Sequence, residues 1–325
     1  MKTPQAKFLI VFVVMITVLT LSGCNKKDSI VIYSSCDQVR NAAFMKMLSE
    51  RFPNYTIDLL YMSGGAHGAR LIAEGKNTHA DITLGLEVSY LRQIRDILAD
   101  HSDFDVSNFM PDLLDPYNMY IPWERFGCVI AINEKLLNDK GLPIPTNYED
   151  LLNPIYRGLI SMPSPRSSIG GHLFLAYFIK RMGEDAAFAY FDKLAKNVNQ
   201  FSVTGSGVTT ALLNGDIAIG FTLLHNAVNE IDRGADLSLT FFDGHSPSSL
   251  GGAALTRKGA KNNVAVTVFE YLITEVSIMD KQLYSPGQVF LDETGTRKHY
   301  PADIKYKLFI LDQEARDRIL DRWRF

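Results

Sequence analysis

The sequence predicts a mostly parallel α/β fold, and three observations lead to that prediction. Short apolar runs such as IVIYSS, YTIDLLYM and ADITLG alternate with amphipathic stretches, the order expected of a parallel sheet with crossover helices. In QVRNAAFMKMLSERF, the residues Phe44, Leu48 and Phe52 follow one another at intervals of four, which is helical spacing. The same alternation resumes after the predicted strand RFGCVIAIN, with the strands GLISM and IAIGF each followed by a helical segment.

The N-terminus has the pattern of an export signal. Lys2 and Lys7 precede the apolar run FLIVFVVMITVLTLSG, which ends at Cys24. A basic start, a short apolar stretch and small residues before a cleavage point are typical of a secretory signal, and the run is short for a membrane-spanning helix. The tetrapeptide LSGC resembles the bacterial lipobox. We therefore predict a lipoprotein signal peptide over 1–23, lipidation at Cys24 and attachment to the cell envelope. The alternative is an uncleaved membrane anchor.

Composition limits the function further. The formal charge is −3, and it becomes more negative once Lys2 and Lys7 leave with the signal. Without a basic tract, nucleic acid is excluded as a partner. Cys36 and Cys128 are too few for a disulfide scaffold, so two free thiols are expected. No zinc-type spacing is present, and no cofactor is expected. A chain of this length at 46% hydrophobic residues usually divides into two domains.

The loops that follow the predicted strands are rich in serine, glycine and histidine. Ligands of open α/β sheets collect where strands end and helices begin, and helix N-termini present free N–H groups that favour anions. Candidate ligand-binding residues in the first half of the chain follow the first three strands, namely Ser34, Ser35, Asp37, Ser63, Gly64, Gly65 and Glu87. Each loop also has a purely structural interpretation, as a helix cap or a turn.

The stretch SPRSSIGG, before the apolar segment HLFLAYFIKRM, combines the features of an anion site. Candidates in this half of the chain share small or hydrogen-bonding side chains in predicted loops, namely Arg166, Ser167, Ser168, Gly170, His172, Ser206, Gly207 and His225. An arginine can clamp a phosphate or carboxylate through its planar fork, and two successive glycines allow close backbone approach. Helix capping by the serines and a solvated arginine remain alternatives.

The predicted loop residues also allow a metal-binding and an enzymatic interpretation. Together with His67, the histidines at 172 and 225 could hold a metal or bind hydroxyl groups, or they could be three unrelated loop residues. Glu87 could accept from ligand hydroxyls or an amine, or it could be solvated. No Gly-x-Ser-x-Gly elbow and no P-loop occurs in the sequence, so catalysis is not predicted.

These motifs, in this order, resemble the substrate-binding lipoproteins of bacterial ABC importers, in the branch that binds ferric ion, aminoethylphosphonate or hexose phosphate. IVIYSS is similar to the opening strand of that branch, RFGCVIAINEKLL to its segment crossing between lobes, SMPSPRSSIGG to its Pro-x-Ser-Ser-Gly-Thr loop, and GSGVTTALLNGDIAIGFT to its Ser-Gly-Ser stretch. The resemblance extends from about residue 29 to about residue 285 and so covers nearly all of the predicted mature chain.

The resemblance implies a two-lobed type II periplasmic-binding-protein fold with two crossing hinge strands and a ligand cleft between the lobes. It places residues 24–127 and 241–325 in the first lobe and 128–240 in the second. It further implies a monomer whose partners are a small-molecule ligand, an ABC permease and, through the lipid anchor, a membrane.

One departure from the family pattern bears on the ligand. Iron-binding members carry adjacent tyrosines after the strand that matches IAIGF, where this chain has Thr222-Leu223-Leu224-His225. Ile169 also interrupts the Ser-Gly-Thr pattern. A small organic anion with a phosphate or phosphonate group is therefore the predicted ligand. Ferric iron held by other residues, such as Tyr61 or His225, an exported phosphatase on the same fold, and a sensory receptor are the alternatives.

Overall fold

A computed structural model describes residues 29–293, 297–301, 304–309 and 313–325. The predicted signal peptide and the predicted lipidation site Cys24 lie outside the described residues. Within the described residues, no helix has the length and apolar character needed to cross a membrane.

Ten strands form one continuous sheet. In chain order they are β1 (Ser29–Ser34), β2 (Thr56–Tyr61), β3 (Ile82–Glu87), β4 (Ile121–Ile132), β5 (Ile160–Pro163), β6 (Val198–Ser202), β7 (Ile219–Leu223), β8 (Ser238–Thr240), β9 (Ser246–Leu255) and β10 (Tyr306–Leu308). The spatial order is β2-β1-β3-β9-β4-β7-β5-β6, with β10 beside β9 and β8 beside β4.

Eleven α-helices connect or flank these strands in the described part of the chain. They are α1 (Gln38–Arg51), α2 (Gly64–Glu74), α3 (Val88–Gln93), α4 (Glu134–Asp139), α5 (Ile169–Met182), α6 (Glu184–Leu194), α7 (Gly205–Asn214), α8 (Leu224–Asp232), α9 (Asn263–Tyr271), α10 (Ser277–Leu283) and α11 (Gln313–Arg322). A π-helical stretch, Leu272–Val276, joins α9 to α10.

Two strands cross between the two halves of the sheet. Residues 121–127 of β4 pair antiparallel with β9, whereas residues 128–132 pair antiparallel with β7. On one side, β1 pairs parallel with both β2 and β3. On the other side, β5 pairs parallel with β6 and β7. We call the β2-β1-β3 group with its helices the first lobe and the β7-β5-β6 group with its helices the second lobe.

Each lobe is a layered α/β unit, because apolar side chains on both faces of its sheet are covered by helices. In the first lobe, Ile32 and Trp123 pack with Phe44 and Phe269 on one face. On the other face of that lobe, Tyr33 packs with residues that include Leu71 and Leu91. The second lobe has the same arrangement, with α5 and α6 on one face and α7 and α8 on the other.

The C-terminal segment packs against the second lobe. Ile319 and Trp323 lie in the same buried cluster as Phe191 and Phe221. The predicted lobe boundaries at 127/128 and 240/241 stay a prediction. The packing of α11 nevertheless shows that a segment after residue 241 contributes to the core of the second lobe.

Two features of the fold differ from the sequence interpretation, and a third confirms it. The stretch SPSSLGG, which was not predicted as a strand, is the first part of β9 and is buried throughout. The predicted helix start PTNYEDLL is only a three-residue turn, Asp150–Leu152, because Pro154 disfavours helical backbone at the residue before it. The prediction of two free thiols is confirmed, since Cys36 and Cys128 are buried and unpaired.

Candidate functional site

The carboxyl ends of the parallel strands in both lobes meet at the middle of the crossing strands. The last residue of β3, Glu87, lies opposite Gly251 of β9, and the last residue of β7, Leu223, lies opposite Cys128 of β4. Loops that leave these strand ends therefore face each other across the junction of the lobes. This is where an open α/β sheet places its ligand.

In the first lobe, Ser35 is one end of a hydrogen-bonded chain of three side chains. Its Oγ lies 2.7 Å from Nδ1 of His67, and Nε2 of His67 lies 2.9 Å from Oγ1 of Thr83. His67 is completely buried, and this burial lowers its pKa to about 3. The imidazole is therefore neutral at pH 7, with both ring nitrogens engaged inside the protein.

The N-terminus of α2 lies open beside this chain. Ser63 occupies the N-cap position with extended backbone, yet its side chain accepts no hydrogen bond from the helix. A Cβ on Gly64 would meet no atom within 4 Å, and a Cβ on Gly65 would lie 3.8 Å from the Tyr90 hydroxyl. The first two residues of this eleven-residue helix thus have open space on their Cβ side, and the N–H groups of its first turn have no intrahelical acceptor.

Glu87 lies at the junction of the lobes and is held by two serines. Its Oε1 accepts a hydrogen bond of 2.6 Å from Oγ of Ser249 on the crossing strand β9. Its Oε2 accepts from the backbone N–H of Ser89 at 3.0 Å and also from the Ser89 hydroxyl. Burial raises the pKa of this carboxyl. Sequence reasoning identified Glu87 but missed Ser249.

In the second lobe, the N-terminus of α5 is also without a side-chain cap. Ser168 is the N-cap residue, and its side chain accepts no bond from the helix. One turn later, His172 is 6% exposed. Its Nδ1 has no hydrogen-bond partner among the described residues. Burial, together with the positive charge of Arg316, lowers the pKa of His172 to about 3.

The two glycines that follow Ser168 differ in what they contact. A Cβ on Gly171 would lie 2.2 Å from the carbonyl oxygen of Pro163, so only glycine fits between α5 and the end of β5. A Cβ on Gly170 would be 3.4 Å from the nearest atom, in Leu223. The close backbone approach that the sequence suggested is therefore required at Gly171 by packing within the lobe.

The N-terminus of α7 is capped from within the chain. Oγ1 of Thr204 accepts from the N–H of Gly207 at 3.1 Å, and Ser206 Oγ lies 3.0 Å from the same oxygen. A Cβ on Gly207 would lie 2.2 Å from Oγ of Ser202. Ser206 keeps an exposed hydroxyl at this end of the helix, whereas Gly207 fits a tight contact.

Four other predicted site residues make hydrogen bonds within the protein. Buried Ser34 donates to the side chain of Asn41 at 2.8 Å, and Asp37 caps α1 by accepting from two backbone N–H groups. Ser167 donates to the carbonyl of Val203, and Arg166 donates to the carbonyl of Trp323 at 2.8 Å. Each contact supplies a structural reason for the residue, and the ligand-binding role of all four stays a prediction.

A cavity of about 220 Å³ lies between the lobes. It brings together two predicted ligand residues, Asp37 from the first lobe and His225 from the second, beside Arg40 and Arg297. Arg297 closes one wall by donating to Asp232 at 2.6 Å and to the carbonyl of Tyr284 at 2.9 Å. Burial lowers the pKa of His225 to about 4, assisted by the charge of Arg40.

Arg40 joins this cavity to a buried charge cluster in the first lobe. Its guanidinium forms a bidentate pair with Asp280, at 2.8 and 2.7 Å, and donates to Glu124 at 2.6 Å. Lys281 completes the cluster with a 2.8 Å contact to Asp280. Two carboxylates thus balance two cations, and the arginine that borders the cavity is already neutralised by its partners.

Two of the buried histidines, His67 and His172, predict a dependence of stability on pH. Because burial depresses the pKa of both His67 and His172 to about 3, the unfolded chain takes up protons below pH ~6.5 while the folded chain resists them. The contribution of these two histidines to the free energy of unfolding should therefore be complete above pH ~6.5. It should fall between there and pH ~3, by about 1–2 kcal/mol per histidine on going from pH 7 to pH 5.

Urea unfolding at these two pH values measures this dependence. The variant His172→Gln should lose part of the pH dependence, and the exposed His79→Gln serves as the control that keeps it. A pH profile unchanged in His172→Gln would contradict the assignment.

Sequence reasoning also missed Arg316. It belongs to α11, at the end of a segment interpreted only as an irregular tail leading to a final helix. Its Nη1 lies 3.4 Å from Oγ of Ser89, and its guanidinium carbon lies 4.6 Å from the centre of the Tyr90 ring. No local motif signals this position, because the contact joins residues 227 apart in sequence.

Two lobes, two crossing strands and helix N-termini that follow the strand ends of both lobes are the features of a two-lobed binding protein. Residues 82–247 match the family model described as bacterial extracellular solute-binding protein. The chain belongs to this family. It is a solute-binding protein of the type that serves ABC importers, and both the predicted fold class and the stated family resemblance are confirmed.

Individual proteins are similar to this chain in sequence or in fold. An uncharacterized protein of Haemophilus influenzae is 26% identical over 253 residues, which cover 75% of this chain and 72% of that protein. The periplasmic binding protein AfuA of Actinobacillus pleuropneumoniae, solved with exogenous fructose-6-phosphate bound, superposes with a TM-score of 0.77 at 22% identity, over 92% of this chain and 98% of its own. Iron-bound HitA of Pseudomonas aeruginosa superposes with a TM-score of 0.70 at 17% identity, over 91% and 99%.

Proposed function

We propose that this protein captures a small organic anion, bearing a phosphate or phosphonate group, between its lobes and delivers it to an ABC permease. The observation that carries the proposal is the pair of N-cap serines, Ser63 in the first lobe and Ser168 in the second. Both stand at helix N-termini where strands end, and neither side chain is used to cap its helix. Within the described part of the chain, neither hydroxyl caps its helix, so the hydroxyls and the first-turn N–H groups can bind a ligand.

Helix N-termini suit an anion for two reasons. The first N–H groups of a helix have no intrahelical acceptor, and the helix dipole gives this end a partial positive charge. Helices α2 and α5 contain 11 and 14 residues, so both are long enough to contribute. A phosphate group held between them would accept several hydrogen bonds from their backbone N–H groups. Neither helix would need to supply a full positive charge.

The rest of the ligand would be recognised by polar side chains at the same junction. The unpartnered Nδ1 of His172 is free to exchange a hydrogen bond with a hydroxyl group. Glu87 and His225 would read further hydroxyl or amine groups. Because the contributing residues come from both lobes, contacts made only in the closed form would shift the open–closed equilibrium. The closed form would then be the species that the permease recognises.

The fold likeness to AfuA, which was solved with fructose-6-phosphate, supports a phosphorylated ligand. The likeness to iron-bound HitA keeps ferric iron among the compounds to be tested. Lipidation at Cys24, tethering to the envelope, a monomeric state, the lobe boundaries at 127/128 and 240/241, and the absence of catalysis complete the proposal.

A thermal-shift screen of the full-length chain in mild detergent tests the ligand class. Probes are fructose-6-phosphate, 2-aminoethylphosphonate, inorganic phosphate and ferric citrate. A ligand that binds only the folded state stabilises it by about 2.7 kcal/mol at a hundredfold excess over Kd. We expect phosphorylated probes to raise the melting temperature. A shift with ferric citrate alone, or turnover of a phosphorylated probe, would overturn the proposal.

Two variants then test the helix N-termini. Ser63→Ala and Ser168→Ala should each weaken binding of the phosphorylated probe by about tenfold, the loss expected for one hydrogen bond to a charged group. Ser49→Ala, whose exposed hydroxyl donates to the Lys46 carbonyl on α1, is the control and should bind as the wild type does. Unchanged affinity in both site variants would exclude these helix ends from the site.

A further inference from the structure

Helix α11 is anchored in one lobe and reaches the other. Its C-terminal end is held by the second lobe, where Trp323 is 2% exposed and lies 5.2 Å from Phe191 between ring centres. Arg322 pairs with Glu184 and Asp185 at the start of α6. Near the other end of the helix, Arg316 contacts Ser89 and Tyr90 of the first lobe. The helix therefore spans the junction.

The position that Arg316 reaches is next to the proposed anion site. Tyr90, which lies against its guanidinium, packs on α2 so closely that a Cβ on Gly68 would be 2.3 Å from the ring. The Tyr90 hydroxyl is also the atom nearest to a Cβ on Gly65, in the first turn of α2. On the side of the second lobe, Arg316 is close enough to lower the pKa of His172 in α5.

Arg316 differs from the other arginines of its segment. Arg318, Arg322 and Arg324 each have a carboxylate oxygen within 4.0 Å. Among the described residues, Arg316 has no such partner, although it is half-buried. Its hydrogen bond to Ser89 is long at 3.4 Å. Nearby Glu87 already accepts from Ser89 and Ser249. Most of the five N–H donors of this guanidinium thus have no acceptor in the part of the chain that the structure describes.

We propose that Arg316 binds the anionic group of the ligand directly and makes the site selective for phosphate or phosphonate esters over their neutral counterparts. The inference rests on the proposed function, to which it adds the cationic residue that the helix N-termini lack. The planar guanidinium can present two parallel N–H groups to two phosphate oxygens. The unpartnered His172 Nδ1 provides another contact from the second lobe, to which α11 is anchored.

Because α11 is anchored in the second lobe, the charge of Arg316 reaches the first lobe only when the lobes are close together. The contact with the ligand therefore belongs to the closed form. An anion bound at α2 would draw in the second lobe through Arg316, whereas a neutral ligand would not. Selectivity for charge and closure of the cleft would then depend on one side chain.

The test compares charged and neutral probes by isothermal titration calorimetry on the full-length chain. Arg316→Gln should weaken binding of fructose-6-phosphate by about 10- to 100-fold, the loss expected when a charged hydrogen-bonding partner is removed. Binding of fructose itself should be little changed. Arg316→Lys keeps the charge but not the fork, and should recover part of the affinity. The control is Arg318→Gln, on the same helix and paired with Glu184, which should bind as the wild type does.

The outcomes separate the two proposals. If the wild type binds no phosphorylated or phosphonate probe, the proposed function fails and this inference fails with it. If the wild type binds fructose-6-phosphate but Arg316→Gln binds it equally well, the inference alone is wrong. An equal loss of affinity for fructose and for fructose-6-phosphate would make Arg316 a structural residue, and would also overturn the inference.

Discussion

Replacing Arg40 by methionine is expected to lower the free energy of unfolding by about 3–5 kcal/mol, the cost of leaving buried carboxylates without their partner. Arg40 is bound by Glu124 and by both oxygens of Asp280, and all three residues are almost completely buried. Without the guanidinium, Lys281 remains as the cation opposite two carboxylates. Urea unfolding at pH 7, followed by circular dichroism, measures the loss.

A matched control is available on the same helix. Lys46 is exposed on α1, so Lys46→Met should change stability by no more than about 0.5 kcal/mol. The deficit of Arg40→Met relative to the wild type should shrink at pH 5, because the orphaned carboxyl groups of the variant would take up protons in the folded state. Adding Asp280→Asn should recover part of the loss. A deficit below 1 kcal/mol would show that the cluster contributes little net stability.

Replacing Trp323 by alanine is expected to lower the free energy of unfolding by about 3–5 kcal/mol, as for other buried aromatic residues. Its ring centre lies 5.2 Å from that of Phe191 and 5.4 Å from that of Phe201. The same change should weaken binding of phosphorylated probes, because it releases the helix that carries Arg316. Unfolding in urea and calorimetry on the folded variant give the two values.

Trp323→Phe separates packing from hydrogen bonding. The indole Nε1 has no acceptor among the described residues, so the phenylalanine variant loses no hydrogen bond, and because it keeps an aromatic ring in the core it should cost less than Trp323→Ala. If Trp323→Ala unfolded at the same urea concentration as the wild type, the C-terminal segment would not belong to the core of the second lobe.

Much of the fold could be predicted because its signals are local. The alternation of apolar strands with amphipathic helices is visible in short windows, and so are the stops at glycine and the polar loops between them. The loops at strand ends were therefore identified correctly, including those of Ser63 and Ser168. The first part of the crossing strand β9 could not be predicted, because SPSSLGG has the composition of a loop. It is buried because Gly251 and Gly252 fit beneath Phe126 and Tyr120, neighbours that lie far away in sequence.

The individual roles of the loop residues could not be predicted. A serine after a strand has the same local signal whether its hydroxyl leaves the helix uncapped, as at Ser168, or is engaged with Asn41, as at Ser34. The choice depends on which acceptor the folded chain brings near. Similarly, position 171 needs glycine because the Pro163 carbonyl lies close to it. The sequence around Gly171 is equally compatible with close approach of a ligand.

By itself, the sequence determined the α/β class, the family and the set of loops from which a ligand site could be built. These follow from local patterns of hydrophobicity and turn residues, which need no knowledge of distant contacts. Only the tertiary structure decided that Ser249 holds Glu87 and that Arg316 reaches Tyr90 across the junction. Such contacts join residues 162 and 226 positions apart, and their formation depends on how whole elements pack rather than on any motif.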